Sequence, residues 1–256
     1  MNKSEKILVI SEETSRRAQL RNTLELHCFD VGEAADGEGA RTRLQMVDYD
    51  AVLFDVLTFD DNGVLLCTLL RRLHSRLPII VVSASENLDN TIKALETGAD
   101  DCVLREISAR ELGARLRSAI RRFHAPDSMS VELLVVGDIV LDPTMHQVEK
   151  SGKEVPLSPL EFHTLQMLMQ SSGKPVSYSH LLIALWGEES KRHHEHLRVV
   201  MRGLRKKLED DPTQPVYLTT QPYFGYCVRD HTRQKTTDKA NRLDAIRRRS
   251  LHLQPY

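Results

Sequence analysis

Apolar positions follow two different rhythms along this chain. Up to residue 123, a short apolar run gives way to a helix-period segment five times. The runs are 6–10, 31–34, 51–55, 78–83 and 101–104; the segments after them are 16–26, 37–46, 63–74, 88–97 and 108–122. Near-continuous apolar strands in alternation with helices predict a parallel sheet covered on both faces. From residue 133 onward the order changes. Ser158-Pro159-x-Glu161 supplies an N-cap, a proline at the first helical position and a capping-box acid ahead of a helix over 157–170. A second short helix is predicted over 177–186 and a third over 193–209, and two strand-like runs, 217–220 and 225–228, flank a tight turn.

The third helix carries the most information. Leu197, Met201, Leu204 and Leu208 form its apolar seam, at steps of four, three and four. Arg198, Arg202 and Arg205 form a second stripe roughly 100° around the cylinder. One face can be buried while guanidinium forks, which fit phosphate oxygens and the O6/N7 edge of guanine, project beside it. A solvated basic face is the plain alternative. Three helices and a closing hairpin describe a winged helix-turn-helix, and five βα units describe the flavodoxin-like order, in which ligands gather at the carboxyl ends of the strands. The expected fold class is therefore an α/β flavodoxin-like (βα)5 domain followed by an α+β winged helix.

Composition narrows this only a little. A length of 256 residues suits two domains, and 41% apolar with 28% charged residues is ordinary for globular chains. The net charge of −1 hides a basic third helix and a basic C-terminus. Cys28, Cys67, Cys102 and Cys227 have neither metal nor disulfide spacing and read as small buried hydrophobes. His193, His194 and His196 cluster, but without cysteine or carboxylate ligands in a recognisable pattern zinc is not expected there. No apolar run approaches about 20 residues and no signal-peptide core opens the chain, so a cytoplasmic protein without a membrane partner is expected.

The words LSPLEFHTLQMLMQSSGKPVSYSHLLIALWG, HLRVVMRGLRKKLEDDP and the closing GYCV resemble the DNA-binding domain of OmpR/PhoB-type response regulators. In the spacing of His-x-x-Leu-Arg and Leu-Arg-x-Lys-Leu-Glu, the chain is most similar to the branch that controls Kdp potassium uptake. The resemblance implies a four-stranded sheet over 136–157, ahead of the helices. It also implies double-stranded DNA as partner, met by His194, His196, Arg198, Arg202, Arg205 and Lys206, with Tyr223 at a wing tip that lacks the family's usual basic residue. Gly203 would let the third helix approach DNA closely, or is simply tolerated.

AVLFD, PIIVVSA and GADD resemble the family's receiver domain, which accepts a phosphoryl group on an Asp using Mg²⁺ and a Lys. Asp55 matches the phosphoacceptor and Ser83 the switch hydroxyl. The departures weigh more. Ser11-Glu12 stands for the acidic pair, Arg105-Glu106 for Lys-Pro, and Cys102 for the switch aromatic. Mg²⁺ demands near-ideal octahedral geometry, so any binding at Glu12 and Asp55 is expected to be weak and no cofactor is required. Asp100, Asp101, Glu111, Arg115 and Arg122 fall on the family's dimer face, formed by its fourth helix, fifth strand and fifth helix, although Thr91 replaces a usual basic partner of Glu111.

These features imply a receiver over 1–123, a linker over 124–132, a winged helix over 133–230 and a disordered basic tail over 231–256. The implied function is transcriptional regulation without enzymatic activity, the receiver acting largely as a phosphorylation-independent homodimerisation module. RNA polymerase is a further implied partner. The alternative is a conventional regulator phosphorylated at Asp55 by a histidine kinase. A flavin enzyme on the same fold fits poorly, because Ser11-Glu12-Glu13-Thr14 is acidic where a phosphate would sit.

Overall fold

The computed structural model describes residues 4–57, 60–85, 87–124 and 132–230. The first part alternates β1 (Lys6–Ile10), α1 (Thr14–Leu26), β2 (Asp30–Ala34), α2 (Gly37–Met46), β3 (Ala51–Val56), α3 (Asp61–Leu73), β4 (Ile79–Ser83), α4 (Leu88–Thr97), β5 (Asp101–Leu104) and α5 (Ala109–His124). The strands form one sheet in the order β2-β1-β3-β4-β5, with every pairing parallel. Two apolar layers enclose it. Leu8, Ile10, Val52, Phe54, Ile79 and Val81 point to one face, and Ile7, Val9, Leu53, Ile80, Val82 and Val103 to the other. Alternate residues of each strand thus meet different helix layers, which is why the strands read as unbroken apolar runs. Helix α5 extends through His124, so the expected linker begins one residue later than its predicted boundary. The rest of that linker, 125–131, and the basic tail lie outside the described residues.

The second part opens with an antiparallel sheet, β6 (Leu134–Val136), β7 (Ile139–Asp142), β8 (Gln147–Lys150) and β9 (Lys153–Glu154). Helices α6 (Pro159–Gln170), α7 (Tyr178–Trp186) and α8 (Lys191–Leu208) follow, with β10 (Val176–Ser177), β11 (Leu218–Gln221) and β12 (Gly225–Val228) forming the sheet order β10-β12-β11. The capping box of α6 is present in full: the Ser158 hydroxyl accepts from the Glu161 N–H, and the Ser158 N–H donates to the Glu161 carboxylate. Gly225 is required where it stands, because a Cβ there would lie 1.8 Å from the Val176 carbonyl oxygen across the β10-β12 pairing. One core unites this part, including Leu165, Leu168, Trp186, Leu197, Met201, Leu204 and Leu208.

Two expectations change. Cys67, Cys102 and Cys227 are buried, but Cys28 is exposed, in the turn after α1. Gly203 faces inward rather than toward DNA: a Cβ there would come within 2.6 Å of the Glu161 carboxylate, so the glycine makes room for the capping acid of α6. That acid also receives Lys207 Nζ at 2.6 Å.

Candidate functional site

Strand β3 ends on Asp55, which is 3% exposed and so lies in a place where a bare charge is costly. Its oxygens are fully engaged. Arg105 lies across it as a fork, Nε to Oδ1 at 3.1 Å and Nη2 to Oδ2 at 2.7 Å. Arg16 Nε reaches Oδ1 at 3.3 Å, and the Ser11 hydroxyl donates to Oδ2 at 2.9 Å. Bidentate guanidinium–carboxylate pairing is among the strong charge-assisted arrangements. Arg16, on the first turn of α1, was not foreseen, since nothing in its local spacing ties it to β3.

The residues do not fit a Mg²⁺ ion. Ser11 donates a proton where a ligand carboxylate would accept a metal, Glu12 is exposed, and two guanidinium groups neutralise the position that the ion would share. The weak metal site expected at Glu12 and Asp55 is thus replaced by an arginine clamp. Ser83 is buried, but its hydroxyl accepts the N–H of Ser85 at 3.1 Å and so serves its own loop. A cleft of about 740 Å³ opens beside Asp55 at the carboxyl ends of the strands, between Arg41, Leu66 and Arg105.

Helix α8 begins at the cap Ser190, whose hydroxyl accepts from the His193 N–H, and ends in Arg205, Lys206 and Lys207, which favour the negative end of the helix dipole. Glu209 then accepts from the N–H groups of Val216, Tyr217 and Leu218 and fixes the entry to the β11-β12 wing. The predicted basic stripe divides into three roles. Arg198 is exposed and, among the described residues, pairs locally with Glu195, at 2.6 Å. Arg202 and Lys206 both reach Glu96 of α4, at 2.9 and 3.4 Å. Arg205 braces the wing, donating to the Leu218 carbonyl at 2.9 Å and the Thr220 hydroxyl at 2.8 Å. His194 is half-buried against Glu189, and Tyr223 is fully exposed at the wing tip.

His196 corrects the expectation outright. It is 1% exposed and faces Asp101 and Trp186, because it lies on the side of α8 turned toward the first domain. The residues expected on a dimer face meet this side of the chain instead. Asp100 accepts from the Leu160 N–H of α6 at 3.0 Å, and from Arg71 and the Ile79 N–H within its own domain. Arg115 reaches Asp101 at 3.1 Å, Glu111 at 2.7 Å, Glu188 at 3.1 Å and His193 Nε2 at 2.7 Å. Arg122 lies beside His163 of α6, and that imidazole is lowered to about 4 by burial and by the charges of Arg122 and His146. In this structure, therefore, the face of α4, β5 and α5 is covered by the chain's own second domain. Glu96 and Glu188, which take part in this contact, escaped the sequence reading because isolated surface acids carry no signal of their partners.

Comparison with known proteins agrees with this architecture. Residues 7–117 match the response regulator receiver domain and residues 152–228 the C-terminal domain of transcriptional regulatory proteins. The chain is 36% identical over 228 residues to the probable transcriptional regulator ycf27 of Cyanophora paradoxa, covering 86% of this chain and 95% of that one. It is 35% identical over 229 residues to ycf27 of Porphyridium aerugineum, covering 87% and 95%. Among solved structures, the RitR C128S mutant shares the fold at a TM-score of 0.73 and 22% identity, covering 89% of this chain and all of that one. Among the described residues, no helix is long and apolar enough to cross a membrane.

Proposed function

The chain belongs to the OmpR/PhoB-type response regulators, and from that premise we propose that it controls transcription through a receiver that works without phosphoryl transfer to Asp55. The observation that carries this reading is the Arg105 fork across both Asp55 oxygens, reinforced by Arg16 and Ser11. Phosphoryl transfer is catalysed mainly by positioning and by neutralising charge with metal ions. Here the nucleophile is already paired and the metal ligands are depleted. Removing Arg105 would leave the buried carboxylate with only Arg16 and Ser11, at a cost below the roughly 3–5 kcal/mol of a fully orphaned buried charge.

The DNA-reading surface is α8 with the β11-β12 wing. Arg198 and Arg202 are assigned to base edges or flanking phosphates, Lys206 to phosphate, and Tyr223 to the backbone or minor groove beside the wing. Two of these four, Arg202 and Lys206, are tied to Glu96 of the receiver. The receiver is therefore proposed to act first as an intramolecular cover over α8. Homodimerisation through α4, β5 and α5 then requires the domains to separate, since both events use Asp100, Asp101 and Arg115. A role like that of the Kdp branch, RNA polymerase as partner and a cytoplasmic location belong to the same reading; a histidine kinase as partner belongs to the phosphorylation-dependent alternative.

The test is selection of bound duplexes from a random pool by the full chain, with and without a small phosphodonor and Mg²⁺. The same enriched sequence and affinity in both arms support the reading. Stoichiometric phosphorylation of Asp55 with tighter binding overturns it in favour of a conventional phosphorylation-dependent regulator.

A further inference from the structure

Asp101, His193 and His196 converge at the contact between the domains, each at most 2% exposed, with their ligand atoms all within 4.8 Å of one another. Two of them come from α8 at positions three apart, so their side chains share a face. The third comes from the start of β5, far away in sequence. Histidine and carboxylate ligands to zinc lie about 2.0–2.2 Å from the ion, which sets ligand atoms of a tetrahedral site roughly 3.4 Å apart. Asp101 Oδ1 and His196 Nδ1 are 3.4 Å apart. His196 is buried, and among the described residues its ring nitrogens make no well-aligned hydrogen bond, Nδ1 having only the long contact with Asp101. An imidazole left in that condition is costly unless something binds it.

The surroundings suit a divalent cation. His193 Nδ1 lies 3.0 Å from the Ser190 hydroxyl, a contact that fixes the ring and aims Nε2 at the cluster, the usual support for a ligating histidine. Trp186 stacks on the His193 ring, with centroids 5.1 Å apart and planes 7° apart, which limits its rotation. Arg115 Nη1 now sits between Asp101 and His193, at 3.1 and 2.7 Å, where a cation would stand. Its other nitrogens are held by Glu111 and Glu188, so the guanidinium can release Nη1 without losing its anchors. Asp101, Glu111 and Glu188 around this one arginine leave two negative charges in direct contact unbalanced; Arg192 is exposed further along α8.

We propose that Asp101, His193 and His196 form a binding site for a divalent transition metal of the zinc class, bridging the receiver to the DNA-reading helix. Two imidazoles and one carboxylate suit Zn²⁺ and its neighbours rather than Mg²⁺ or Ca²⁺, which take oxygen ligands. Water completes the coordination, since Glu188 lies on the Nδ1 side of the His193 ring, 3.8 Å away, and not on the Nε2 side that faces the cluster. An ion here joins the two domains directly and holds α8 against the receiver. That regulatory consequence rests on the covered-helix reading above; the site itself does not.

The test uses the full chain, stripped with a chelator and titrated with Co²⁺, then with Zn²⁺. One equivalent of Co²⁺ is expected to give the intense visible bands of four-coordinate cobalt, bleached by Zn²⁺. Asp101→Asn and His196→Gln are expected to weaken binding at least about tenfold. X-ray absorption on the zinc-loaded wild-type chain is expected to report two imidazoles, a readout that does not depend on a variant folding. No four-coordinate spectrum in the wild type, or an equal one in both folded variants, overturns the site. Zinc is also expected to weaken binding of a selected duplex by the wild type but not by His196→Gln. Zinc bound at this site with DNA affinity unchanged would leave the site standing and remove the covered-helix reading.

Discussion

Glu96 on α4 holds Arg202 of α8 at 2.9 Å and Lys206 at 3.4 Å, so one receiver carboxylate occupies two cations of the helix assigned to DNA. A carboxylate in that position mimics a phosphate. Both pairs are partly exposed, and such pairs are worth about 0–1 kcal/mol each. Glu96→Ala is therefore expected to tighten DNA binding by roughly two- to fivefold. Equilibrium binding to a selected duplex measures this, and unchanged affinity would mean that Glu96 does not compete with DNA.

The pocket at Asp55 gives a second expectation. Asp55→Ala is expected to leave DNA affinity within about twofold, because under the proposed reading no phosphoryl signal passes through it, although loss of the buried pair lowers stability by several kcal/mol. Conversely, Ser11→Asp combined with Arg105→Lys restores the family's missing carboxylate and its compact ammonium. That double variant is expected to gain Mg²⁺-dependent labelling by a small phosphodonor, read by intact mass. Labelling of the wild type to the same extent would contradict the proposal that the receiver works without phosphoryl transfer to Asp55.

Burial and the neighbouring charges of Arg122 and His146 lower His163 to about 4, from an ordinary 6.5. The unfolded chain therefore takes up the proton first as pH falls. The stability tied to neutral His163 is complete above about 6.5 and is lost as pH drops toward 4, an effect on the order of 2–3 kcal/mol. Urea midpoints for wild type and His163→Gln, measured near pH 7 and near pH 5, check this. The wild type is expected to lose more stability on acidification than the variant; parallel losses would assign the pH dependence elsewhere.

Arg198 and Arg205 separate reading from bracing. Among the described residues Arg198 is exposed and paired locally with Glu195, whereas Arg205 is tied to β11. Arg198→Ala is expected to relax preference at one base pair of each half-site, by about 1–3 kcal/mol if it reads a base. Arg205→Ala is expected to loosen the wing and lower thermal stability as well as affinity. A panel of single-base duplex variants, with melting curves alongside, distinguishes the two outcomes.

Much of this was legible locally. The αβ alternation, the Ser158–Glu161 capping box and the seam of Leu197, Met201, Leu204 and Leu208 each depend on residues close in sequence. What escaped depends on long-range meetings. Arg115 and His193 are 78 positions apart, and no spacing rule brings them to 2.7 Å. For the same reason the three neighbouring histidines looked short of a carboxylate, which β5 supplies as Asp101. The reason for Gly203 was not legible, because it is the Glu161 carboxylate of another helix. The departures at Ser11 and Arg105 were visible, but the geometry of the fork they form with Asp55 was not.

The central claim is that the receiver covers the DNA-reading helix. It is tested most directly by comparing the affinity of the full chain with that of residues 132–230 for one selected half-site duplex, at fixed salt. Release of Arg202, Lys206 and the buried side of α8 is expected to make the shorter chain bind at least about tenfold more tightly, a difference of roughly 1.4 kcal/mol. Equal or weaker binding by residues 132–230, with the fragment folded by circular dichroism, would contradict the account.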